Sequence, residues 1–100
     1  MKDFNHIHNV LTDNGYPESH NSDWYICIED HQENRIFPHY YDCYTKARAK
    51  IAVKSLLNKT DVYKVVVHHG RPENRFRQAI SFIGNFNALS EHEWNYYFNR

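Results

Sequence analysis

The chain predicts an α+β fold: an antiparallel sheet of two hairpins packed on a central helix, two layers, order α-β-β-α-β-β-α. Three observations predict it. An apolar stripe of helical period crosses residues 46–58. Strand-type runs with two-residue alternation or β-branched character lie on both sides of it. Clusters of Gly, Pro and Asn punctuate the boundaries. At 100 residues the chain is expected to be a single domain, 1–100, that buries roughly two-thirds of its unfolded surface. Hydrophobic residues at 41% and aromatic residues at 16% exclude a disordered chain.

Phe4, Ile7, Val10 and Leu11 recur at helical spacing and predict a first helix over 3–13, stopped by Asn14-Gly15. Residues 16–22 are a polar connection. Trp24 to Glu29 reads as a strand with Trp24, Ile26 and Ile28 on one face. Asp30 to Asn34 turns the chain, and Arg35 to Tyr41 returns as a second strand. Pro38 lacks an N–H, which puts that strand at a sheet edge or in a bulge.

Lys46 to Asn58 is the central helix, with Asp42 or Thr45 as its cap. Ala49, Ala52, Val53, Leu56 and Leu57 form its apolar stripe, and Ile51 lies about 155° from the centre of that stripe. Val62 to His68 is a β-branched strand. Residues 75–83 fit a strand or a helix, and the Gly-Arg-Pro turn before them favours a second hairpin. Ser90-Glu91-His92-Glu93 has capping-box spacing and opens a C-terminal helix carrying Trp94, Tyr97 and Phe98.

No apolar run approaches the roughly 18 residues of a membrane span. The opening Met1 to His6 has no apolar stretch of a secretory signal, and Cys27 and Cys43 are too few for a disulfide scaffold. A reducing, cytoplasmic setting is expected. Charge cancels overall but not along the chain. Residues 1–42 carry eight acids against Lys2 and Arg35, and residues 43–80 carry nine bases against Asp61 and Glu73. Such a division steers a partner if the fold keeps the signs on different faces, and does nothing if acidic loops pair with the basic helix.

The histidines have no Cys partner at zinc spacing, and adjacent His68 and His69 on a strand point to opposite faces. No metal or cofactor is expected, and a small-molecule substrate is not. Cys43, His39 and Asp42 are the one local Cys/His/Asp grouping. A small metal-independent ribonuclease using Tyr63, His68, Arg71 and Arg75 is chemically conceivable but has no identifying spacing. For nucleic acid, Arg71, Arg75 and Arg77 offer phosphate contacts, and Tyr40, Tyr41 and Tyr44 offer stacking rings. For a protein partner, Ile51 flanked by Lys50 and Lys54 offers an anchor, unless a terminal helix buries it.

Two resemblances bear on these alternatives. Thr45 to Val53 resembles the start of the second helix of double-stranded-RNA-binding domains, whose Lys/Ala-rich first turn faces phosphates. The order departs from that family, because two strands follow the helix here. The pieces Trp24–Tyr41, Lys46–Asn58 and Val62–Ile83 together resemble small phage-encoded anti-CRISPR proteins that inhibit type I effector complexes. That resemblance implies a non-enzymatic inhibitor that docks on effector subunits and occludes the site where guide RNA meets target DNA. The expected docking set is Lys46, Arg48, Lys50, Ile51, Lys54, Arg71, Arg75 and Arg77. The expected partner is a host protein or nucleoprotein complex, with nucleic acid as the alternative.

Overall fold

The computed structural model describes residues 4–59, 62–70 and 78–83. Within them the chain runs α1 (Asn5–Asp13), β1 (Trp24–Glu29), β2 (Tyr41–Asp42), α2 (Lys46–Leu57), β3 (Lys64–His69) and β4 (Gln78–Ile83). The strands form one antiparallel sheet in the order β2-β1-β3-β4. The C-terminal helix expected from Ser90 lies outside the described residues, as do Arg71, Arg75 and Arg77.

The sheet register explains the core. Ile28 pairs with Val65 and Val65 with Phe82, while Ile26 pairs with Val67 and Val67 with Ile80. These cross-strand rows put one apolar face against the stripe of α2, where Ala49, Ala52, Val53 and Leu56 are buried. Ile7 and Leu11 of α1 join the same core. The ambiguity over 75–83 is thereby settled as a strand over Gln78–Ile83: its backbone ladders with β3, and alternation puts Ile80 and Phe82 together on the core face. Burial on β1 is wider than the alternation of the sequence suggests. Tyr25 and Cys27, on the opposite face from Ile26, are buried too. Tyr25 lies under a ring cluster in which His68 stacks on it at 5.0 Å and Tyr40 meets it edge-on at 5.0 Å.

The return strand expected over 35–41 is interrupted. An isolated bridge pairs Glu29 with Arg35, and the chain rejoins the sheet only at Tyr41, opposite Ile26. Three steps along β1 are thus matched by six on the returning chain. Pro38 sits in the excursion, where its missing N–H breaks no ladder bond, and β2 is the sheet edge.

Local chemistry fixes the connections. Thr45, not Asp42, caps α2 by accepting a hydrogen bond from Arg48 N at 3.1 Å. Asp42 is fully buried and holds the 17–22 connection instead. Its carboxylate accepts from Ser19 Oγ, from Ser22 Oγ at 2.7 Å, and from the amides of Asn21 and Ser22 at 3.0 and 3.2 Å. Burial alone would push this carboxyl up. The Ser19 and Ser22 hydroxyls and the two amides outweigh it and hold the group below its usual range. At the end of α1, the amides of Gly15 and Tyr16 return to the carbonyls of Thr12 and Leu11, a Schellman closure with Gly15 at φ +84°.

Candidate functional site

The outer side of α2 carries Lys46, Lys50, Ile51 and Lys54 of the expected docking set. Lys46, Lys50 and Lys54 are spaced four residues apart and so form one ridge along the helix. Lys54 is exposed, and Lys46 and Lys50 are half-buried. Ile51 lies about 60° around the helix from Lys54, between the lysine ridge and the side that faces α1, and is 61% exposed. It stands at the edge of a groove of about 310 Å³ between α1 and α2, lined by Val10, Leu11, Tyr16 and Ala52 together with the polar Asn14, Arg48 and Ser55. An aliphatic side chain with a groove on one side and a row of ammonium groups on the other can anchor a surface that sets acidic groups beside a small apolar contact.

Arg48 has a different role from the one expected of it. Its Nη2 donates to the carbonyls of Asn14 and Gly15 at 2.9 and 2.8 Å, and its guanidinium lies 4.5 Å above the Tyr16 ring. Tyr16 Oη donates in return to the Arg48 carbonyl at 2.9 Å. Arg48 therefore braces the C-terminal end of α1 against α2, occupying the orphan carbonyls there, and it forms one wall of the groove. The expected stacking rings are also redistributed. Tyr41 is fully buried and Tyr40 is packed among Tyr25, His20 and His68, so only Tyr44 of the three is exposed. Tyr44 holds a left-handed φ of +70° just before the helix cap.

Four acids of the first half meet partners away from the α2 ridge. Glu29 pairs with Lys64 across the sheet at 3.2 Å. Asp30 accepts from the amides of Gln32 and Asn34 in its own turn. Glu18 lies against His8 and His39, and Asp42 against the serines.

The local Cys43/His39/Asp42 grouping is taken apart by the fold. Cys43 points into the core with no exposure, and burial pushes its thiol up to about 12. Asp42 faces Ser19 and Ser22, and His39 faces Tyr41. Cys27 lies 3.7 Å from His68 Nε2, and burial raises its thiol as well. Neither sulfur has the lowered pKa of a nucleophile. In the native chain at pH 8 both thiols are expected to be silent to a disulfide-exchange reagent and to react only in denaturant. A fast-reacting native thiol would contradict this. His68 and His69 face opposite ways as their strand requires, stacking on Tyr25 and on Trp24.

The excursion at 36–40 builds an arrangement that no spacing announces. His39 on the excursion, His8 on α1 and Glu18 in the connection converge above Tyr41. Tyr41 Oη is 2.8 Å from His8 Nδ1 and 2.9 Å from His39 Nε2. Glu18 Oε1 is 3.1 Å from the first nitrogen and 3.5 Å from the second. Burial, aided by the charge of Glu18, raises the Tyr41 hydroxyl and keeps it a neutral phenol. The positions 8, 18 and 39 are too far apart in sequence for any motif, and only the chain's richness in histidine hinted at them. Among the described residues, no helix is long and apolar enough to cross a membrane. No protein-family model, curated protein or solved structure matches the chain.

Proposed function

We propose that this chain is a non-enzymatic binding protein, an inhibitor of the anti-CRISPR kind, that docks the outer side of α2 on a host defence nucleoprotein complex and blocks it sterically. The observation that carries the reading is Ile51, 61% exposed between a groove and a lysine ridge. Helix surfaces that serve only solubility do not need an aliphatic side chain there. The lysines favour a partner patch rich in carboxylates and raise the association rate at low salt. On this reading the chain works in the host cytoplasm and needs no cofactor for docking.

The test is co-elution with a purified type I effector complex on a sizing column. Wild type should co-elute. Lys50→Glu combined with Lys54→Glu should lose binding by at least about a hundredfold, because two attractions become repulsions in a partly desolvated contact. The thermal midpoint should move by less than about 3 °C, since surface substitutions cost little. Absence of co-elution by wild type, or undiminished binding by the variant, would reject the surface. Gel retardation of duplex nucleic acid, weakening with salt by roughly 0.9 log units per log salt for each phosphate contacted, would replace the protein partner by nucleic acid.

A further inference from the structure

We infer that His8, Glu18 and His39 form a binding site for one divalent transition-metal ion, best matched by Zn2+. The argument begins with donor type. Two imidazole nitrogens and one carboxylate are a set that suits zinc and its neighbours, whereas calcium and magnesium require oxygen shells. Spacing comes next. Ligands at about 2.0–2.2 Å from a tetrahedral centre stand about 3.3–3.6 Å from one another. Glu18 Oε1 lies 3.1 Å from His8 Nδ1 and 3.5 Å from His39 Nε2, close to two edges of such a tetrahedron. All three ligand atoms lie within 4.8 Å of one another. The third edge needs only small rotations of the two rings.

The surroundings orient the rings. Tyr41 Oη, anchored in the core, lies 2.8 and 2.9 Å from the two ligating nitrogens and so brings both rings to one place; each nitrogen has one lone pair, so the ion takes the place of these hydrogen bonds. Phe37 stacks on His39 at 5.6 Å and tilts against His8 at 6.2 Å, forming an apolar wall of the kind that limits solvent around metal sites. The site is nevertheless reachable: His8 and His39 are 30% and 31% exposed and Glu18 is 46% exposed, so an ion has an entry path.

The ion would tie together α1, the 17–22 connection and the 36–40 excursion. A ligand held only by the folded chain raises its stability by mass action. The site shares no residue with the α2 docking set, so its test is independent of the proposed function.

The experiment is calorimetric titration of the full, metal-free chain with ZnCl2, with MgCl2 in parallel. Wild type should bind one Zn2+ per chain, gain thermal stability with added Zn2+, and give no saturable heat with Mg2+. Glu18→Gln and His39→Asn should each weaken Zn2+ binding by at least about tenfold. His31→Asn, outside the cluster, should bind as wild type does. Proton–nitrogen spectra of wild-type imidazoles provide a readout that requires no variant to fold. Zn2+ should shift Nδ1 of His8 and Nε2 of His39. Absence of saturable Zn2+ binding, undiminished affinity in either cluster variant, or shifts confined to other histidines would overturn the assignment.

Discussion

Asp42→Ala is expected to cost about 3 kcal/mol of stability, a fall of more than about 10 °C in the thermal midpoint for a domain this size. The carboxylate is the common acceptor for two hydroxyls and two amides, and alanine leaves these donors without it. Each stranded buried donor costs roughly 1–3 kcal/mol, but the full sum is not reached because Asn21 is exposed and its amide can turn to water. The same group makes stability pH-dependent. Its folded pKa lies below its unfolded value, so its contribution is present above about pH 4 and is lost as pH falls through the folded pKa. Urea midpoints of wild type should therefore drop between about pH 4 and pH 2, and Asp42→Asn should start lower and show a shallower drop. Parallel curves for the two proteins would show that Asp42 does not organise the connection.

Gly15→Ala is expected to destabilise by about 2–4 kcal/mol, read from denaturant midpoints. Two effects add. Gly15 has φ +84°, a region costing a side chain about 1 kcal/mol or more. A Cβ there would also stand 3.0 Å from Arg48 Nη2, which is already committed to the carbonyls of Asn14 and Gly15. Shifting the guanidinium weakens two charge-assisted hydrogen bonds and its stack on Tyr16. A double-mutant cycle separates the effects. In an Arg48→Ala background the same glycine replacement should cost only the backbone part, about 1–2 kcal/mol. Equal costs in both backgrounds would mean that Arg48 does not brace the turn.

Both positions show how local patterns and tertiary contacts divide the information. Asn14-Gly15 is visible in the sequence as a helix stop, because a left-handed residue and its returning amides are a matter of adjacent atoms. That Arg48 fills the space above Gly15 is not visible, because it depends on how α1 lies against α2. Asp42 was open to use as a helix cap, and strand pairing gave that position to Thr45 and turned Asp42 inward.

The sequence by itself determined the element types: the period of Ala49, Ala52, Val53 and Leu56, the alternation of Trp24, Ile26 and Ile28, and the β-branched run before His68 are one-dimensional signals with a fixed geometric meaning. It also singled out Ile51 as the residue outside the stripe, and that residue is exposed. Only the tertiary structure decided that Arg48 serves the fold, that Tyr41 is buried, that the return strand breaks around Pro38, and that His8, Glu18 and His39 meet. The physical reason is common to all four. Side chains distant in sequence become neighbours through the packing of whole elements, and a register or excursion of a few residues changes which groups meet.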